Sequence, residues 1–166
     1  MEQIYFDEIH RRKLDGKNVF LKTLIILGCI PLCVLVFLLG GPLGVALAAG
    51  VIYGAYFLFL RLSPEYEYIY TGGEVDIDVI YGKSSRRRLI TIKPRQVEFM
   101  GKTDRYFAEY KKRKDIQKIL DFSDGNKTTG YVVIVNSNHI KKLVLFSPSD
   151  RLVEQLKPYL RDNFKE

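Results

Sequence analysis

Few side chains in this 166-residue chain have the types and spacing that chemistry requires. Glu74, Asp76 and Asp78 are carboxylates two residues apart, a grouping that can move protons or hold a hard cation. In a strand, however, alternation turns all three toward solvent and Val75, Ile77 and Val79 inward. Arg86, Arg87 and Arg88 follow on the next strand, where opposite charges pair across a ladder. A solvated charge ladder is therefore expected. Gly82-Lys83-Ser84 looks like the end of a phosphate loop, but the glycine that pattern needs five residues earlier is Ile77 here. The two histidines, His10 and His139, fall on opposite sides of a long apolar run, and no Ser-His-Asp or metal set can be assembled from spacing. Cys29 and Cys33 lie inside that run, share a helix face and read as small apolar packers. No catalytic residue, cofactor or metal is assigned, and the chain is read as non-enzymatic.

What remains is two basic runs. One is Lys83 with Arg86, Arg87 and Arg88; the other is Lys111, Lys112, Arg113 and Lys114, beside Tyr106, Phe107 and Tyr110. Basic residues near an anionic leaflet gain roughly 1 kcal/mol each. Aromatics mixed with cations also suit a protein interface. Lys83, Arg86, Arg87, Arg88, Tyr106, Tyr110, Lys111, Lys112, Arg113 and Lys114 are thus the candidate contacts for anionic phospholipid or an unidentified protein partner. The plain alternative is solubility and topology determination. A net charge of +7, with no stripe of interleaved arginines and aromatics, does not point to nucleic acid.

The element that must position all of this is Thr23–Leu60, which contains no Asp, Glu, Lys, Arg or His. One straight helix of that length would run about 57 Å, against a hydrocarbon slab of about 30 Å. Gly40-Gly41-Pro42 sits near its middle, so a helical hairpin is expected, 23–39 and 42–60, with Pro42 at a helix start. Arg11, Arg12, Lys13, Lys17 and Lys22 precede it, Arg61 follows, and the turn is uncharged. The positive-inside rule then puts both termini in the cytoplasm of a multi-pass cell-membrane protein. Gly44 and Ala48, and likewise Gly50 and Gly54, are small residues at four-residue spacing. They would let the two helices approach closely or form a seam with a second copy. Residues 1–22 read as a cytoplasmic leader with a short amphipathic surface helix.

Residues 61–166 read as one mainly β cytoplasmic domain. Strands are expected at Glu65–Tyr70, Glu74–Tyr81, Arg86–Lys93, Gln96–Met100, Ile116–Phe122, Tyr131–Val135 and Ile140–Phe146, separated by Gly, Asn and Pro turns. Thr103–Asp115 reads as a short helix or a partly ordered connection. An amphipathic helix over 148–164 follows, opened by Ser147 as its cap and interrupted by Pro158. The segment Glu65–Ile92, with its Glu-Tyr-Glu-Tyr strand, Gly-Gly turn, Glu-Val-Asp-Ile-Asp strand and Arg-Arg-Arg-Leu-Ile strand, resembles bacterial pleckstrin-homology-like (PH-like) domains of small membrane proteins. It is most similar to a Gram-positive family with a two-span layout. The resemblance implies an antiparallel PH-like β-barrel or sandwich of about seven strands closed by a C-terminal helix, and an anchoring mode, but no activity. Lipid-binding members of the wider group carry bases in the loop between their first two strands. Here that loop is Thr71-Gly72-Gly73, so headgroup recognition of that kind is not implied. The expected function is a membrane-anchored module that scaffolds or regulates a partner at the inner leaflet; the alternative is a sensor of anionic lipid through the basic runs.

Overall fold

Exposed and half-buried side chains alternate through Tyr5–Arg11, and this segment is a strand (β1) rather than the expected surface helix. A two-residue period suits a half-covered strand and gives a helix no apolar stripe. β1 pairs antiparallel with Glu65–Thr71 (β2) over its full length, from Tyr5↔Thr71 to Arg11↔Glu65. Phe6 stacks on Tyr70 at 5.2 Å and His10 on Tyr68 at 5.0 Å.

The computed structural model describes residues 5–13, 16–82, 85–125, 130–137 and 139–165. It divides into a β unit, Met1–Lys13 with Glu65–Ile80 and Ser85–Glu166, and a helical unit, Leu14–Pro64 with Tyr81–Ser84. The sequence division at residues 22 and 60 differs from this one because β1 lies in the leader.

In the β unit, Glu74–Tyr81 (β3) and Ser85–Ile92 (β4) complete a four-stranded sheet in the order β1-β2-β3-β4. A second sheet contains Val97–Lys102 (β5), Ile116–Asp121 (β6), Tyr131–Ser137 (β7), Ile140–Phe146 (β8) and Phe164–Lys165 (β9), in the order β6-β8-β7-β5-β9. All seven expected strands form, and β1 and β9 join them. The sheets are not purely antiparallel, as expected, because β6 runs parallel to β8 and β5 parallel to β9. β8 turns back on β7 and takes the place beside β6, which fixes the first parallel pair. Thr103–Tyr110 (α1) leaves β5 directly.

The last helix, Asp150–Leu160 (α2), is shorter than expected. Its cap is Ser149, not Ser147: the Ser149 hydroxyl accepts from the Leu152 amide at 3.3 Å. Glu8 of β1 adds to this end by accepting the Ser149 N–H at 3.0 Å. Burial opposes ionisation of Glu8, but the Ser149 hydrogen bond and the His10 ring, 3.3 Å away, outweigh it and hold the carboxyl below its ordinary range. Pro158 lies inside the last turn, and the helix stops two residues later, where Arg161 adopts φ 46, ψ −117. Phe164, read as part of the helical stripe, belongs to β9 and packs against Tyr131 at 6.1 Å.

The core lies between the sheets and under α2, whose Leu152, Val153, Leu156 and Leu160 are buried. Tyr68 is at its centre, fully buried, with its ring edge-on to Phe146 at 5.6 Å. Its hydroxyl donates to the Phe122 carbonyl at 2.7 Å and accepts the Ser147 N–H at 3.1 Å. Burial raises the phenol's pKa, so it stays protonated and able to donate.

The helical unit holds a single helical segment, Gly16–Arg61 (here H1), where two separate helices were expected. It starts seven residues before Thr23, because nothing in Gly16–Lys22 breaks it. Only Gly41 leaves helical geometry, at φ 51, ψ −133, a conformation open to glycine. The chain reverses there. The Cys33 thiol lies 4.0 Å from the Ala48 carbonyl, fifteen residues on, and Lys22 Nζ donates to Ser63 Oγ at 2.6 Å. Ile25, Cys29, Cys33 and Val36 are half-buried on one limb, opposite buried Gly44 and half-buried Ala48, Val51 and Ala55 on the other. A Cβ on Gly44 would come within 2.7 Å of the Val36 carbonyl oxygen. The small-residue rows therefore divide: Gly44 and Ala48 face the opposing limb, whereas Gly50 and Gly54 are exposed.

Replacing Tyr68 with Phe removes one hydroxyl and strands two buried backbone groups. It should destabilise the β unit by about 1–3 kcal/mol, read from denaturant unfolding of the full chain in detergent; an unchanged midpoint would contradict the role given to this hydroxyl.

Candidate functional site

The expected charge ladder exists, but it is only partly solvated, with burial increasing from Glu74 to Asp78. β2 is covered on both faces, so Glu67 is only 1% exposed, and Asp78, directly opposite it on β3, 4%. Asp76 is half-buried and Glu74 exposed. Arg86 donates to Glu67 Oε1 at 2.9 Å. Arg88 bridges Asp78 at 3.2 Å and Asp76 at 3.0 Å, and Thr91 donates to Asp76 at 2.5 Å. Glu67 Oε2 has no hydrogen-bond partner. Burial pushes the Glu67 carboxyl up; Arg86 opposes this, and Asp7 and Asp78 reinforce it. Arg86 and Arg88 are thus committed to internal pairing, Arg87 is exposed, and Lys83 lies outside the described residues.

The second candidate surface is also largely committed. Tyr106 and Tyr110 pack on Phe99, with ring centroids 5.0 and 4.4 Å away, over a cluster that includes Val132, Ile134 and Leu143. Their apolar faces serve as core. Arg113 makes two hydrogen bonds to Asp115, at 2.9 and 2.6 Å. Together with Lys141 it holds that carboxyl down to about 2, against a smaller opposing effect of burial. Lys111 sits 5.7 Å from the Phe107 ring centre. Among the described residues, Lys112 and Lys114 keep exposed charges with no ion-pair partner.

Sequence reasoning missed a different group. A cleft of about 970 Å³ opens between the β2–β3 turn, the β4–β5 connection and the end of α2. Gly72, Lys93, Arg95, Tyr159 and Arg161 line it, with Glu74 at one side. The turn is pinned by close approach: a Cβ on Gly73 would lie 2.9 Å from the Tyr159 ring. Burial and the neighbouring Tyr159 hydroxyl push Tyr70, beneath that turn, up to about 12. Lys93 and Glu74 pair at 3.5 Å with each side chain about half exposed, a contact of little energy. Arg95 and Arg161 make no ion pair or hydrogen bond through their side chains among the described residues. Non-glycine backbone at φ 46, ψ −117 costs on the order of 1–3 kcal/mol. Lys93 and Arg95 are two residues apart, but Arg161 is distant from both, so no sequence pattern marks the three together.

A family model described as a bacterial PH-like domain (DUF6106) matches residues 2–166. The chain belongs to this family. The PH-like match takes in β1 and H1 as well as the two sheets, in keeping with a β unit that starts in the leader. No curated protein and no solved structure matches the chain.

Because the folded Glu67 carboxyl titrates above its unfolded value, the native PH-like unit binds the extra proton between the two pKa values. Stability must therefore fall as pH rises through that window, from the ordinary carboxylate range upward. Glu67→Gln should flatten this part of the stability–pH curve, measured by denaturant unfolding from pH 4 to 7. A variant curve parallel to that of the unaltered protein would show that Glu67 is not the group responsible.

Proposed function

We propose that this chain is a membrane-anchored module without catalytic activity. H1 crosses the cell membrane twice, both termini stay in the cytoplasm, and the β unit is presented to a protein partner at the inner leaflet. The observation that carries the reading is the register of β1 on β2. Arg11 pairs with Glu65, so the residues between them must leave and re-enter the β unit at one place. An excursion of that kind crosses a bilayer an even number of times. H1 is long and apolar enough to cross, and Leu38, Leu39, Leu43 and Tyr53 on its surface are more than two-thirds exposed. Lys17, Lys22 and Arg61 stand at its open end, and the reversal at Gly41 is uncharged, which supports a cytoplasmic open end.

Sensing of anionic lipid through the two basic runs has less behind it, since Arg86 and Arg88 already neutralise buried carboxylates and Arg113 pairs with Asp115 at the surface. The exposed Gly50 and Gly54 leave room for a second copy beside H1.

Topology can be read with a membrane-impermeant maleimide on variants whose native cysteines are replaced by Ala. Pro42→Cys should label in intact spheroplasts, and Asn18→Cys only after permeabilisation, as should a cysteine in a C-terminal tag. Labelling of the two ends from opposite faces, or extraction of the chain without detergent, would overturn the anchoring. In-cell crosslinking from Lys112 should return the same protein repeatedly; its failure would remove the partner.

A further inference from the structure

We infer that β1 is the seam of a homodimer, in which its free edge pairs antiparallel with the β1 edge of a second copy, centred on Ile9. The two sheets end in four edge strands, β1 and β4 in one, β6 and β9 in the other. An edge exposes unpaired backbone N–H and C=O groups, and proteins blunt it with short strands, bulges or concentrated charge. Three of the four edges carry such a device. β9 has two residues, β6 has a register break between Ile116 and Lys118, and β4 carries Arg86, Arg87 and Arg88 in a row. β1 has none of these: its seven residues hold unbroken register on β2, without proline or bulge. Tyr5 and Ile9, on its outer face, are 63% and 53% exposed, so apolar surface flanks the free edge.

Charge complementarity identifies the occupant. Opposed side chains on a ladder share a face, so a two-fold axis must pass through a residue rather than between two. Centred on Ile9, the register sets Ile9 against Ile9 of the second copy, Asp7 against its Arg11 and Glu8 against its His10. Symmetry makes each unlike pair twice. Opposite charges across a ladder stabilise it and like charges weaken it. Moving the centre by one residue sets Glu8 against Glu8 or His10 against His10; moving it by two sets Asp7 against Asp7 or Arg11 against Arg11. Among the described residues Asp7 has no ion-pair partner, and Arg11 reaches Glu65 through Nε at 2.9 Å, which leaves its terminal nitrogens to an incoming carboxylate. The ladder stops after Arg11, because Arg12 donates to Asp121 and the Lys13 N–H to the Asp124 carbonyl at 2.7 Å. The seam is therefore short. Holding both copies in one membrane raises their effective concentration, and to that extent the inference rests on the proposed anchoring.

The test is cysteine crosslinking of the full chain in isolated membranes, with Cys29 and Cys33 replaced by Ala and copper phenanthroline as oxidant. Maleimide access reads the anchoring separately, so either reading can fail alone. Ile9→Cys lies on the axis, where opposed Cβ atoms are about 4.5–5.5 Å apart, and should give a disulfide-linked dimer. Asp7→Cys alone should give little, because its two copies sit four residues apart along the strand, about 13 Å. Co-expression of Asp7→Cys with Arg11→Cys should bring the product back. Adding Asp7→Arg to Ile9→Cys sets arginine against arginine twice and should cut the dimer at least about fivefold, with the unfolding midpoint unchanged because Asp7 is exposed. Asp7→Arg together with Arg11→Asp should restore it. Gly50→Leu with Gly54→Leu should leave the yield as it was, since those residues lie on H1. No dimer from Ile9→Cys, a dimer that Asp7→Arg leaves intact, or crosslinking only to a different protein would refute the seam.

Discussion

The pairing of β1 with β2 is the constraint on which the rest of the molecule depends. These strands are neighbours in space and far apart in sequence, with Arg11 opposite Glu65. Everything between them is an excursion that must close on itself. A straight helix of 46 residues would carry the chain about 69 Å away. H1 must therefore turn back, and it does so at Gly41, the one residue in it with non-helical φ and ψ. Small residues at Gly44 and Ala48 then let the returning limb run close to the outgoing one. The same pairing ties the two ends of the chain together, since Glu8 of β1 accepts the backbone N–H of the residue that caps α2.

Adding β1 has a cost that the structure meets with charge. It makes β2 an interior strand of its sheet, on which Glu67 is only 1% exposed. A carboxylate taken out of water needs a paired cation, and Arg86 reaches it from β4. Asp78 opposite it is served by Arg88 in the same way. The arginine run that reads as a free basic patch is thus largely the counter-charge of an acidic strand. The aromatic residues of α1 follow the same logic, because their rings fill the surface beside Phe99 before they can serve any partner. Exposed positive charge is left at scattered positions, and those that converge do so at the cleft.

Much of the architecture was legible from local pattern. The seven strands of residues 65–146 follow from two-residue alternation and turn chemistry, and the apolar span from its lack of charge. These depend on neighbours within a few positions, and periodicity records that. β1 was missed because a strand of seven mixed residues has no partner in its own vicinity. Its identity depends on Glu65–Thr71, beyond the whole helical excursion. The burial of Glu67, the parallel pairs and the end of α2 at Arg161 were hidden for related reasons: each depends on which strand lies alongside, and strand order is not written in any short window.

The amino-acid sequence by itself therefore determined that this chain holds a long apolar helical span and a set of short strands followed by an amphipathic helix. Hydrophobic periodicity and turn residues act locally, and they suffice for that. Only the tertiary structure decided that the leader is a strand of the β unit, that the basic run is spent on buried acids, and that Lys93, Arg95 and Arg161 share one cleft. Those facts are made by contacts between residues distant in the chain, and the chain must fold before they exist.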